Sequence, residues 1–412
     1  MAAEVPSQAP QTYGFPLYPE LPQFGSDLIP LPRFVKGPTL KPIPGPSWQG
    51  LHSHVVKVKI LGQIYALKLF MFSPEMEWFG PGLSDEYDEK NRAEVTAFYE
   101  YLDPFNSECR AFGRLHESGH SELAVECYGY VLLDEDHERA LRDRFPGRKL
   151  EELFQDNPGS QRRGFLTKGG RPPPIRAIVK EFGTGMDRLR NRQMSKALKD
   201  MIQLHQLGII GIDVAKRQFI NGKLCDFSTA MTTPHFAMNP ELNPLLTPLG
   251  ISRMEFDLFL FSAADFGAFD EMIWEWNYRN KLQKDQVSVK AFPQLYGYPG
   301  THNLRRKVSP ATRERVFTLA DPRLYDWRVS ARGRDESSAE GPANGQSSKG
   351  SSSGRSVAKV SKTRRKFKKP PRWYYEGSKE NMARMGRSRS GVRYFEWAFK
   401  RGFFVPTIPP PR

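Results

Sequence analysis

The stretch HVVKVKILGQIYALKLF, residues 54 to 70, constrains the fold more than any other part of the chain. Val56, Val58 and Ile60 alternate with Lys57 and Lys59, the period of a half-buried strand. LGQ reads as a turn and IYALKLF as a second strand, so the unit is an antiparallel β-hairpin. Its second arm is apolar and carries one internal cation, Lys68. Either that ammonium reaches an apolar strand edge and is structural, or it serves a site.

Downstream, the pattern alternates between helix and strand. NSECRAFGRLHESG reads as a helix opened by a capping residue, with Glu108 in its first turn and Cys109, Phe112 and Leu115 along one face. LAVECYGYVLL and RAIVKEFGTG are strands. RQMSKALKDMIQLHQLG is a helix, with Met194, Leu198, Met201, Ile202 and His205 at helical spacing and Gly208 ending it. The segment LHQLGIIGIDVAKRQFINGKLCDFSTA, residues 204 to 230, places Asp213 and Asp226 on either side of a short hairpin turning at Asn221-Gly222. SRMEFDLFLFSAADFGAFDEMIWEWNYRNKL is strongly apolar and reads as buried helix. The chain therefore reads as α+β, with a small antiparallel sheet followed by a mainly helical part.

Four regions follow from composition. Residues 1–47 are a Pro-rich leader, in which regular helix and central strand are excluded. Residues 48–328 form the main domain, with insertions at about 72–106 and 134–175. Residues 329–372 are a low-complexity, disordered basic linker, and 373–412 an aromatic and basic segment that reads as a short docking helix. The net charge is +15, and from Arg332 onward 20 Lys/Arg face 6 Asp/Glu, so nearly all of the excess lies in the tail. Such a tail suits an acidic partner or stands as a solvated charge run. Its cluster KTRRKFKKPPR, residues 362–372, fits an import receptor and hence the nucleus, or phosphates bound without sequence preference. Three cysteines without a CxxC pair indicate neither a zinc site nor a disulfide framework. The first residues do not read as a signal peptide, and no apolar run approaches the roughly 18 residues of a membrane span, so a soluble intracellular chain is expected.

The order of a strand Lys, a helix Glu, a long helix and two loop aspartates resembles the protein-kinase signature set over roughly residues 48 to 280. The resemblance implies a two-lobed fold that binds ATP and magnesium. YALKLF resembles the lysine strand, so Lys68 would hold phosphates and pair with Glu108. LHQLGIIGID resembles the catalytic loop, making Asp213 the candidate base. LCDFS resembles the metal-binding loop, with Asp226 and Gln218 as candidate magnesium ligands. KEFGTG, with Glu181, resembles the segment whose backbone holds an adenine. WQGLHSHV resembles the phosphate loop but keeps only Gly50, with Trp48 and Ser53 at the other glycine positions. Bulk there hinders close approach to phosphates. Ile212, Ala215, Gln218 and Ser228 stand where active kinases carry Arg, Lys, Asn and Gly. Taken singly, Glu108 also reads as a helix-terminus charge, Asp226 as a turn cap and Asp213 as a loop brace.

A closer resemblance rests on SHVVKVKILGQIYALKLF, YLDPFNSECRAFGRL, LAVECYGYVLL and NGKLCDFSTAMTTPHF, over about residues 50 to 240. Together these are similar to the fungal kinetochore Sim-four complex subunit family of the Fta-two type. That resemblance implies a kinase-like core in a nuclear, centromere-associated assembly with protein partners. The expectation is a pseudokinase acting as a binding or scaffold subunit. The alternative is an active ATP- and magnesium-dependent phosphotransferase on a protein or small-molecule hydroxyl.

Overall fold

The computed structural model describes residues 41–42, 48–50, 52–72, 100–145, 151–154, 162, 172–239, 241–243, 248–282, 286–289, 291, 397–400 and 403–406. A six-stranded sheet, antiparallel throughout, organises the first half. Its strands are β1 (Lys41–Pro42), β2 (Trp48–Gln49), β3 (Ser53–Ile60), β4 (Gln63–Phe70), β5 (Cys127–Leu132) and β6 (Arg176–Glu181). The main order is β1-β3-β4-β6-β5, with β2 also on β3. The hairpin expected over 54–70 is β3 and β4, paired in unbroken register from Ser53–Phe70 to Ile60–Gln63. The sheet also reaches back to Lys41–Pro42, which pairs with Lys59 and Val58.

Side-chain alternation gives the sheet two faces. Val56, Val58, Leu67, Leu69, Ala177 and Val179 point to one face and build a core with Leu141, Phe145, Leu153 and Phe154. Those last four residues come from the stretch expected to be an insertion. It holds a regular helix, α2 (Glu135–Arg144), capped by Asp134, whose side chain accepts from the His137 amide. The helix is hard to see in sequence because only Leu141 and Glu138 turn inward. Glu138 is not an isolated buried charge. Arg162 donates to both of its oxygens at 2.6 and 3.0 Å, and the Ile175 amide adds a third bond at 3.1 Å.

The other face carries Lys68, Phe70, Ile178 and Lys180 against α1 (Pro104–Glu117). This helix starts earlier than its sequence suggested. Asp103 is the cap, accepting from the Asn106 amide, and Pro104 fills the first turn, where no amide partner is needed. Glu108 therefore lies beyond the first turn. Every residue from Pro104 to Leu115 is buried, not one face alone.

The second half is built on α3 (Asn191–Gln206) and α4 (Pro248–Arg279). Met194, Leu198, Met201 and His205 of α3 are buried, and Gly208 follows with φ +78°. A Cβ at Gly208 would stand 2.0 Å from the Thr233 hydroxyl, so glycine is required twice over. Short pairs follow: β7 (Ile209–Ile210) with β10 (Met231–Thr232), and β8 (Phe219–Ile220) with β9 (Lys223–Leu224). Asn221 and Gly222 join the second pair with φ of +51° and +76°, as an Asn-Gly hairpin turn requires. Helix α4 buries Phe266, Phe269 and Ile273 but leaves Phe261, Trp274 and Tyr278 exposed, so it is only partly the buried helix expected. In the C-terminal segment the described residues form a hairpin, β11 (Trp397–Lys400) with β12 (Phe403–Pro406), rather than a helix. Aromatic residues on both sides of Gly402 favour strands there. The linker 329–372, the basic cluster 362–372 and most of the leader lie outside the described residues.

Candidate functional site

Sheet, α1 and the loop after β9 meet at a buried cluster of two lysines and two carboxylates. Lys68, from β4, donates to Glu108 Oε2 and to Asp226 Oδ1, both at 2.6 Å. Lys180, from β6, donates to Glu108 Oε1 at 2.5 Å and to the Cys225 carbonyl at 2.7 Å. The Ser228 amide gives Asp226 Oδ1 a further bond at 2.9 Å. Lys68 and Glu108 are 2% and 0% exposed, whereas the Asp226 side chain keeps 25%. A buried charge survives only when it is paired and hydrogen-bonded, and here two positive groups balance two negative ones.

The electrostatics follow from that pairing. Burial alone would raise Asp226, but Lys68 first and Lys180 next hold its carboxyl well below the usual carboxylate range. Burial likewise opposes the charge on Lys68, and Asp226 and Glu108 overcome it, raising the ammonium above the ordinary lysine value. His52, in the loop between β2 and β3, feels both groups. Burial lowers it to about 4, with Asp226 opposing and Lys68 adding to the shift. The thiols of Cys127 and Cys225 are pushed up by burial to about 12 and about 11, which leaves them protonated and unreactive at neutral pH.

The structure thus brings Lys68, Glu108 and Asp226 together and places the other candidates elsewhere. Asp213 is a surface residue with a 54% exposed side chain, paired with Arg217 at 2.9 Å. Its φ of +50° is one that Asp tolerates better than most residues. Gln218 is nearly buried, and its carbonyl accepts from the Cys225 amide at 2.9 Å. Glu181 turns away from the cluster. Its carboxylate takes Asn221 Nδ2 at 3.0 Å, and its amide donates to the Glu126 carbonyl at 2.9 Å. Gly50 is exposed, and its amide bonds the Ser53 carbonyl at 2.8 Å.

Two elements of the site were missed in the sequence. Lys180 carried a weaker form of the Lys68 signal, a cation following the apolar run Ala177–Val179 in a strand that also holds Arg176 and Glu181. Asp265, a lone acid in the apolar run of α4, takes His205 at 2.8 Å and the amides of Gly211 and Ile212 at 2.9 and 2.7 Å. It fixes the loop that carries Asp213. Beside this loop a groove of roughly 710 Å³ opens against α4, lined among others by Phe261, Ala264, Ala268, Met272 and Trp276. Lys216 also lines it, with its ammonium 4.8 Å from the Trp276 ring centre.

In class, then, the protein is a mixed α+β chain whose sheet is riveted to one helix through buried ion pairs. Residues 28–231 match the family model described as kinetochore Sim4 complex subunit FTA2, and the match supports that family. The matched span contains Lys68, Glu108, Lys180, Asp213 and Asp226. The search of curated proteins finds no match.

Proposed function

We propose that this chain is a kinase-like but non-catalytic binding subunit of a kinetochore complex, acting in the nucleus. The matched family's description supports the kinetochore role. The kinase-like reading draws support from the Lys68–Glu108 pair between strand and helix, with Asp226 on the same lysine. The observation that carries the non-catalytic part is the state of Asp226. One of its oxygens already serves both the Lys68 ammonium and the Ser228 amide. A phosphate-bound magnesium ion needs free, hard carboxylate oxygens. Among the described residues Asp226 is the partly exposed carboxylate of the cluster, Glu108 being fully buried, and Gln218 adds at most a neutral amide. A single carboxylate already tied to an ammonium, beside a neutral amide, is a weak donor set for the ion.

Exposed Trp274 and Tyr278, stacked at 5.4 Å, and the neighbouring groove favour a protein partner over a small molecule. The basic segment 362–372 suits an import receptor, and any contact it makes with nucleic acid should weaken steeply with salt. DNA binding at low salt should therefore drop when residues 355–372 are deleted.

Thermal unfolding of the full chain with ATP and Mg²⁺, beside Asp226→Ala, tests the reading. A ligand that binds only the folded state must raise the midpoint. No magnesium-dependent rise is expected. A rise that disappears in Asp226→Ala would overturn the proposal in favour of a phosphotransferase. A fluorescent fusion should gather at centromeres, and evenly spread fluorescence would count against the kinetochore role.

A further inference from the structure

We infer that Lys180 is an internal latch that holds the sheet, α1 and the Asp226 loop in one arrangement without nucleotide or metal. The inference deepens the kinase-like reading above and rests on it. Lys180 sits at the end of β6, directly before the segment that leads to the helical half. Its Nζ donates to Glu108 on α1 and to the carbonyl of Cys225, the residue before Asp226. One side chain thus joins three separate elements. In a nucleotide-dependent cleft the phosphates and their metal would supply the charge that draws such elements together. Here a lysine of the chain supplies it.

The rest of α1 is fastened in the same permanent way. At its start Arg176 of β6 grips Asp103 with two bonds of 2.9 and 3.0 Å. Farther along, Arg110 donates to the Pro234 carbonyl at 2.5 Å, and Arg114 donates to the carbonyls of Leu207 and Thr233. Both guanidinium groups therefore bind backbone of the helical half. A helix buried from Pro104 to Leu115 and held at its start, middle and end is not built to swing. What distinguishes Lys180 from these arginines is its reach to the Asp226 loop, which it holds by the Cys225 backbone while Lys68 holds the Asp226 carboxylate. Glu108 would keep Lys68 without it, but the Cys225 carbonyl would lose its ammonium donor.

Hydrogen exchange on the full chain without nucleotide tests the latch. In the wild type, residues 104–115 and 223–229 should exchange as slowly as α3. Faster exchange there than in α3 overturns the inference without any variant. In Lys180→Met both segments should exchange at least about tenfold faster, the ratio implied by loss of a charge-assisted hydrogen bond, while α3 stays unchanged. In Glu108→Gln, whose overall destabilisation speeds α3 as well, only 104–115 should speed up beyond α3, because Lys180 still donates to the Cys225 carbonyl. If the two variants give the same pattern, Lys180 merely completes the Glu108 pair and the latch is refuted. Wild-type binding of Mg-ATP is read separately by thermal unfolding, so failure of the functional reading and failure of the latch give different results.

Discussion

Asp213 and Asp226 lie on either side of one short hairpin and looked alike in sequence, yet the fold treats them in opposite ways. Asp226 is drawn between a buried ammonium and a backbone amide, and its carboxyl is held well below the usual range. Asp213 stands in water against Arg217. The loop of Asp226 is fixed through its carboxylate. The loop of Asp213 is fixed by another residue's carboxylate, Asp265, acting on its backbone. A carboxylate's chemistry therefore follows from which element closes over it, and the local motif does not reveal that.

The largest test of this contrast removes the counter-charge from the Asp226 side. Glu108→Gln leaves Lys68 and Lys180 with one carboxylate between them. Breaking a buried pair in this way costs about 3–5 kcal/mol. Urea unfolding at neutral pH should show a loss of that order, and a loss below about 1 kcal/mol would mean the cluster is wet. Next comes the Asp213 side. Asp265→Ala strips His205, Gly211 and Ile212 of one shared acceptor, and each buried donor left unpaired costs about 1–3 kcal/mol. The loss should be read in the unfolding midpoint together with faster exchange at Gly211 and Ile212.

How far these partners could be foreseen depends on whether they are local. The β3–β4 hairpin and the Asn221-Gly222 turn were legible because periodicity and turn chemistry act over a few residues. The Lys68–Glu108 pair was legible only through a resemblance, since the two residues lie 40 positions apart. Lys180 and Asp265 read in sequence as parts of a strand and a buried helix, although Asp265 is a lone charge in an apolar run and Lys180 closes one. Such a charge signals a partner, but the topology decides which. Helix α2 was hidden for a different reason: a mostly charged sequence does not show a core face when only two residues turn inward.

Acid sharpens the contrast further, through a histidine close to the same helix. His235 is fully buried and lowered to about 3, by burial first and then by Arg110. Its Nδ1 accepts the Ala237 amide, so its Nε2–H donates to the Tyr101 carbonyl at 2.9 Å. The unfolded chain binds a proton there below about 6.5 and the folded one does not until about 3. The stability contributed by neutral His235 is therefore complete above pH 6.5 and is lost as pH falls toward 3. Glu100 works against it. Burial, opposed by Arg110, raises Glu100 to about 7, so its protonated form favours the fold as pH drops from 7 toward 4.5. Glu100 offsets one histidine between about pH 6.5 and 4.5, but His52, lowered by burial to about 4, acts in the same direction as His235. Stability should therefore fall from about pH 6.5, by up to about 1.4 kcal/mol per unit for the one proton left uncompensated. Asp226 adds its own loss once the pH drops below its unfolded value of 3.8. Glu100→Gln should roughly double the slope of the decline between about pH 6.5 and 4.5, and an unchanged profile would remove Glu100 from this account.

The smallest expected effect completes the comparison. Asp213→Asn breaks an exposed pair with Arg217 whose side chains are 54% and 69% exposed. Such pairs contribute about 0–1 kcal/mol. Asn also accepts the left-handed backbone that Asp213 adopts at φ +50°, so no new strain is added. The unfolding midpoint should stay within experimental error. Asp213→Val is the informative partner. A β-branched residue is strained at that φ, so it should cost on the order of 1–2 kcal/mol through the backbone alone. If Asn were as damaging as Val, the Asp213 carboxylate would have a buried partner in solution, and the difference between the two aspartates would be one of degree. If only Val is damaging, the loop needs the backbone shape of Asp213 and not its charge, which is what a non-catalytic role for that residue requires.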